Sequence, residues 1–411
     1  MNAQCTRALL IILIALSGCA VATQESQVDP TDRALLLSTD LPFGPLQRQL
    51  QSCADIPFYK TEFSISHRGA PLGYPEHTRE GYEAAAAMGA GVIECDVTFT
   101  KDLTLVCRHS QCDLHRTTNI LQTEHANSCS EGFTAAGTDA AGNPVPATAK
   151  CCTSDITLSQ YRDLCGRRDI VNSNATDVNQ YLTDPGSGLV EDPVSCGTLL
   201  THDESINLFD RLGVSFTPEL KAPMVPMPYA GMSQQNYASR LIEAYEVADI
   251  AAERVYPQSF DVNDILYWIA EHPDFGAQAV FLDPRGRDRD FVASLEDMQR
   301  LKKAGINIIA PPLPMLLIVD DNDELAPSPY AEFAQQAGLD IITWTFESGQ
   351  ATSPDNWLYA NLPGYIQREG QSLEVLHALA EKVGIRGIFS DWPGTVTYYA
   401  NCMGLVANER K

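Results

Sequence analysis

Two acids interrupt an apolar run at Ile93-Glu94-Cys95-Asp96-Val97. A carboxylate inside a strand is costly unless a partner meets it. Strand alternation sends Glu94 and Asp96 to one face and Cys95 to the other. By the same rule Glu219 and Lys221 share a face. Three carboxylates converging beside one ammonium are hard oxygen donors, which select Mg2+ or Ca2+ rather than zinc or copper. Two histidines, His67 and His109, fall at the ends of neighbouring β-rich runs. Imidazole titrates near neutral pH and serves as acid or base. Set beside Arg68, Lys221 and a hard cation, the pair suits a phosphoester. Cation and arginine polarise the phosphoryl oxygens, one histidine takes a proton and the other gives one. A glycosidase built on Glu94 and Glu219 would leave both histidines and Arg68 idle.

These residues need a frame that gathers them. From Glu62 on, β-rich runs alternate with helical ones. Residues 63–66, 91–97, 214–220, 254–258, 277–282, 306–310, 340–346 and 385–390 read as strands. Helical stretches separate them, among them 79–88, with Thr78 as cap and Gly89 as stop, and 236–251. Such alternation implies a parallel sheet. Residues 103–109 stand apart, because a parallel crossover needs a dozen or more residues and this segment follows the second strand too closely. It must return antiparallel, as a hairpin turning near Lys101-Asp102. Eight strands remain, the number of a (β/α)8 TIM barrel, whose functional residues collect at the C-terminal strand ends. There fall His67-Arg68, Glu94 and Asp96, Glu219 to Lys221, Ser259-Phe260, Asp283, Trp344 to Glu347, and Asp391-Trp392. The expected fold is α/β, a barrel over residues 61–400. A Cys-rich, disulfide-braced module, residues 110–205, enters before the third barrel strand.

Residues 1–19 read as an export signal. Arg7 precedes a short apolar run, Ala8 to Leu16, too short to span a bilayer. Leu16-Ser17-Gly18-Cys19 is similar to the bacterial lipoprotein signal, whose cysteine becomes the lipidated first residue; Ala20-Val21-Ala22 offers ordinary cleavage instead. Both readings export the chain, to the periplasm or cell surface, with membrane attachment only through a lipid at Cys19. Residues 20–60 read as a tether or an N-terminal wrap. The formal net charge of −25 argues against nucleic acid or an anionic membrane surface as main partner. Setting aside Cys5 and Cys19, ten of the 12 cysteines remain, an even number that suits disulfides in an exported chain. No CxxC or His-x3-His spacing supports a zinc site. Local pairing suggests Cys129 with Cys151 or Cys152, and Cys165 with Cys196. A Cys95–Cys107 bond is not expected. Alternation puts Cys107 on the face of His109, while Cys95 points away from Glu94 and Asp96.

The ordered set His67-Arg68-Gly69, Pro75-Glu76-His77-Thr78, Glu94-Cys95-Asp96-Val97, Thr100-Lys101-Asp102 and Leu105-Val106 to His109 resembles the glycerophosphodiester phosphodiesterase family. Glu219-Leu220-Lys221, Ser259-Phe260, Trp344-Thr345 and Gly387 to Pro393 extend the resemblance from Ser64 to Pro393, the insert excepted. Each fragment alone is weakly specific; their order is highly specific. The resemblance implies a (β/α)8 barrel with an insertion after its second strand. It also implies a divalent cation, Ca2+ or Mg2+, and cleavage of a small-molecule glycerophosphodiester to sn-glycerol 3-phosphate and an alcohol. By position it makes His67 and His109 the acid/base pair and Glu94, Asp96 and Glu219 the metal ligands. Arg68 and Lys221 become phosphate contacts, and Phe260 and Trp344 walls for the glycerol or leaving group. The implied path is attack by the glycerol 2-hydroxyl, loss of the alcohol, and opening of a cyclic phosphate by water. Two positions depart from the pattern. Ser110 replaces the usual Asp, so an acid orienting His109 comes from elsewhere or is absent. His77 stands where the family often has Asn and reads as a loop residue; His115, His125 and His202 read as structural. The alternatives are a lyase similar to the sphingomyelinase D group and a non-catalytic envelope lipoprotein that binds a phosphate ester.

Overall fold

The computed structural model describes residues 29, 31–183, 194–287 and 290–405. The expected signal peptide and Cys19 lie outside these residues. The sheet strands are β1 (Thr61–Ser66), β2 (Ala90–Phe99), β3 (Leu105–Cys107), β4 (Ser215–Leu220), β5 (Gln258–Ser259), β6 (Val280–Leu282), β7 (Ile308–Ala310), β8 (Asp340–Phe346) and β9 (Gly387–Ser390). All but β3 run parallel, and β1 pairs with both β2 and β9, which closes the ring. β3 returns antiparallel on β2, with Leu103 at φ 64 in the turn. The expected eight-stranded (β/α)8 barrel with its hairpin is therefore the fold.

Inside the ring, Ile65, Val92, Tyr256, Val280, Leu282, Ile308, Ala310, Ile342 and Phe389 fill the space with apolar side chains. A barrel this size is a packed core, not a pore. A second apolar layer, with Tyr82, Phe216, Leu241 and Trp268 among its members, lies outside the sheet beneath the helices. The fourth expected strand, residues 254–258, reaches β5 only at Gln258: Pro257 lacks an amide proton, and Val255 makes a lone bridge to Phe216.

Among the helices, α1 (Thr31–Thr39) and α2 (Pro45–Ser52) lie on the barrel rather than apart from it. Asp40 Oδ2 accepts the Gly370 amide at 2.9 Å, and the Tyr398 hydroxyl donates to the Leu50 carbonyl at 2.5 Å. Tyr398 belongs to the last helix, Pro393–Cys402. The helix α3 (Arg79–Ala87) begins at Thr78, whose hydroxyl accepts the Gly81 amide, and is followed by Gly89 at φ 92. Among the described residues no helix is long and apolar enough to cross a membrane.

The insert has its own apolar cluster, including Leu114, Ile120, Ile156 and Tyr161. Three bonds brace it: Cys112–Cys152, Cys129–Cys151 and Cys165–Cys196. A fourth, Cys95–Cys107, overturns the expectation drawn from alternation. Cys107 pairs with Val97, so it shares the face of Cys95, one pair along, with Cα atoms 5.3 Å apart. The strand ends at Cys107, and His109 lies in a bend where alternation no longer applies. Cys53 and Cys402 remain thiols.

Candidate active site

His67, Arg68, Glu94, Asp96, His109, Glu219, Lys221, Phe260 and Trp344 line one cavity of about 180 Å³. It sits at the C-terminal strand ends, and Leu282 and Phe389 of the barrel interior form its floor. All nine residues given a role in the sequence reach it, whereas Ser259, Asp283, Glu347, Asp391 and Trp392, also at strand ends, do not line it.

The strand-to-loop turn after β1 sets up two of them. His67 Nδ1 lies 2.5 Å from Asp391 Oδ1 at the end of β9. Arg68 follows at φ 55 and Gly69 at φ 97. A side chain on Gly69 would sit 3.0 Å from the Gly81 backbone, so glycine is needed there. The left-handed turn aims the Arg68 amide at Glu94 Oε2, at 2.9 Å. Its guanidinium reaches Glu76 at 3.2 Å and Asp96 at 3.8 Å. Burial alone would lower the Arg68 pKa, but Glu76, Asp96, Asp391 and Glu94 outweigh it and raise it.

β2 and β4 carry the carboxylates. Glu219 pairs with Asp96 and Thr217 with Glu94 across the parallel ladder, which brings the acids level. Oxygen atoms of Glu94, Asp96 and Glu219 lie within 4.8 Å of one another, and all three side chains are buried. Gln258 donates to Glu94 Oε1 at 2.9 Å, and Lys221 Nζ pairs with Glu219 at 2.6 Å. Burial, reinforced by Asp96 and Glu219, pushes Glu94 well above the carboxylate range. Burial and Asp96 push Glu219 up to about 7 against the pull of Lys221. Asp96 Oδ1 is buried with no hydrogen-bond partner. Buried like charges with an orphaned oxygen fit a hard cation, whose charge reverses the reason these groups hold protons.

His109 hangs over the cavity from the bend after β3. Burial, then Arg68 and Lys221, hold its pKa well below the usual histidine range. No acid follows His109 at position 110, but two lie near it in space. Glu76 and Asp113 each bring a carboxylate oxygen within 4.8 Å of a His109 ring nitrogen, and the Ser110 amide donates to Asp113 Oδ2 at 2.9 Å. This second acidic group is not a cation site of the first kind. Burial alone would raise Glu76, but Arg68 and Arg108 hold it down at about 2, already neutralised by guanidinium.

The aromatic wall is edge-on. Phe260 and Trp344 meet with centroids 5.9 Å apart, and Trp344 Nε1 donates to the Ala310 carbonyl at 2.9 Å. Trp357, half exposed, extends the wall outward from Trp344. Sequence reasoning assigned no role to Asp391, Gln258, Asp113 or Trp357. Asp391 and Gln258 carried a signal, as polar residues at strand ends; Asp113 and Trp357 carried none. His115, His125 and His202 do not line the cavity.

The glycerophosphoryl diester phosphodiesterase family model matches residues 67–395. An extracellular protein of Arthroderma benhamiae is 39% identical over 244 residues, 58% of this chain and 100% of that protein. A glycerophosphodiester phosphodiesterase of Bacillus subtilis is 46% identical over 56 residues, 14% of this chain and 19% of its own. A crystal structure from Silicibacter pomeroyi shares the fold, with a TM-score of 0.55 at 20% identity, covering 87% of this chain and 98% of that one. The match runs from the first site histidine past Asp391, through every strand end that lines the cavity, and this chain belongs to the glycerophosphoryl diester phosphodiesterase family.

Proposed function

We propose that this enzyme hydrolyses glycerophosphodiesters to sn-glycerol 3-phosphate and an alcohol with His67 and His109 as its acid/base pair. The observation that carries this reading is the meeting of two histidines, Arg68, Lys221 and three buried carboxylates in one cavity. Glu94, Asp96 and Glu219 hold a divalent cation, Ca2+ or Mg2+. When bound, such an ion polarises the phosphoryl oxygens as a Lewis acid. Arg68 and Lys221 bind and orient the phosphate. Phe260 and Trp344 flank the glycerol or the leaving alcohol and exclude water from it. One histidine takes the proton of the glycerol 2-hydroxyl as its oxygen attacks phosphorus; the other donates a proton to the departing alcohol oxygen. Water then opens the cyclic phosphate with the roles exchanged. Asp391 binds His67 at Nδ1, which leaves Nε2 for these transfers.

Export belongs to the same proposal. The relative from Arthroderma benhamiae is named an extracellular protein, and four disulfides suit an oxidising compartment. Lipidation at Cys19 is read from Leu16-Ser17-Gly18-Cys19, and mass spectrometry of the mature N-terminus distinguishes it from cleavage after Ala22.

The test is hydrolysis of a panel of glycerophosphodiesters with Ca2+ or Mg2+ present. His67→Ala and His109→Ala are each expected to lower kcat by about 10²–10⁴-fold. Wild-type rates from either variant would overturn the assigned roles, and full activity in chelator would remove the cation. A stable cyclic phosphate as sole product would make the enzyme a lyase.

A further inference from the structure

His77 does not line the cavity, yet it binds one of the carboxylates that does. It occupies the turn before α3 at φ 53 and is fully buried, with its amide donating to the Arg68 carbonyl at 3.0 Å. Its Nε2 lies 2.9 Å from Asp96 Oδ2 and its Nδ1 lies 2.8 Å from the Tyr82 hydroxyl. An ionised carboxylate only accepts, so Nε2 carries the proton and donates. Nδ1 is then an acceptor, and the Tyr82 O–H donates to it. The three groups form a directed series, Tyr82 to His77 to Asp96, with one proton per contact. At its end Asp96 Oδ1 has no partner, while an Asp96 oxygen lies within 4.8 Å of oxygens from Glu94 and Glu219.

We infer that His77 is a positioning residue for the cation site: it holds Asp96 Oδ2, fixes the rotation of that carboxylate, and leaves Oδ1 to the ion, while Tyr82 sets the tautomer that allows this. Groups of this kind, one step behind a metal ligand, orient it and raise its affinity. The inference rests on the reading of Asp96 as a cation ligand. It also replaces the view of His77 as a plain loop residue: the backbone is a turn, but the side chain is an internal support.

Side-chain length supplies the test. A glutamine amide nitrogen reaches as far from the backbone as His77 Nε2, whereas an asparagine amide reaches only as far as Nδ1. Purified wild type, His77→Gln and His77→Asn are titrated with Ca2+ and Mg2+ by calorimetry, and the melting temperature of each cation-free protein is recorded. His77→Asn is expected to weaken cation binding by about 10–100-fold. His77→Gln is expected to bind like wild type, with both variants melting alike. Equal binding by His77→Asn and wild type would overturn the inference while leaving the cation site intact. Equal weakening in both variants would also overturn it, since the effect would then lie in ring shape rather than in Nε2. A wild-type protein that takes up neither ion would overturn the reading of Glu94, Asp96 and Glu219 itself, and the inference with it.

Discussion

Asp391 meets His67 at 2.5 Å although 324 residues separate them in the chain. The contact decides which ring nitrogen faces the substrate. Asp391 accepts a hydrogen bond from the Nδ1 N–H, so Nε2 keeps its lone pair, the state a general base needs. An asparagine at the same place can turn its NH2 toward Nδ1, which forces the proton onto Nε2. Asp391→Asn is therefore expected to lower kcat by about 10²–10⁴-fold, the contribution of one acid–base group, with the cation affinity unchanged. Steady-state kinetics paired with a cation titration check this, and a fall in cation affinity alone would assign Asp391 to the metal side of the site. The residue types of this site were legible because charge in a strand demands a partner. Their partners were less so. Asp391 stood out as polar at a strand end, but nothing local tied it to His67, and the Glu76 and Asp113 oxygens near His109 arrive from separate loops.

Strand geometry explains what was visible at the next scale. Period-two alternation, strand count and the short link before β3 sufficed for the barrel and for the shared face of Glu94 and Asp96. Alternation failed where the strand stopped. Cys107 is the last residue of β3, so extending the rule to His109 put Cys107 on the wrong face and hid the Cys95–Cys107 bond. The short hairpin does place His109 over the cavity, because the Arg108 amide donates to the Asp96 carbonyl at 2.7 Å and anchors the bend to β2. The opposite end of β2 is held by close approach. A β-carbon on Gly91 would lie 2.4 Å from the Thr61 carbonyl carbon, where the β1–β2 register shifts. Backbone must move to admit it. Gly91→Ala is expected to cost about 1–3 kcal/mol of stability, the usual penalty of overpacking, measured by denaturant unfolding. A variant as stable as wild type would show that β1 and β2 can separate there freely.

The matched family region begins at residue 67, but the packed molecule begins earlier. Helix α1 sends Arg33 across to Glu347, with Nε 2.5 Å from Oε1. Glu347 follows β8 at φ 59, is buried, and senses the charge of Asp391, the partner of His67. The N-terminal segment is thus tied to the mouth of the barrel through one ion pair. Burial raises the Glu347 pKa above its ordinary value of 4.5, and Arg33 opposes that rise. Removing the cation leaves a buried carboxylate alone. Breaking a fully buried pair costs about 3–5 kcal/mol, but the Arg33 side chain is 43% exposed, and solvent screening reduces the expected cost of Arg33→Ala to about 1–3 kcal/mol. The pH dependence follows from the direction of the shift. A carboxyl whose folded pKa is raised binds more protons folded than unfolded, so stability falls as pH rises between the unfolded and folded values. Arg33→Ala raises the folded value further. Its deficit is expected to be small near about pH 3, below the ordinary value of 4.5, where Glu347 is protonated in both states, and to be larger at pH 8. Arg33→Ala combined with Glu347→Gln removes the lone charge and is expected to regain most of the loss at pH 8. Unfolding curves at the two pH values check this. A deficit equal at both, or unrelieved in the double variant, would mean that Arg33 fastens α1 by packing rather than by neutralising Glu347.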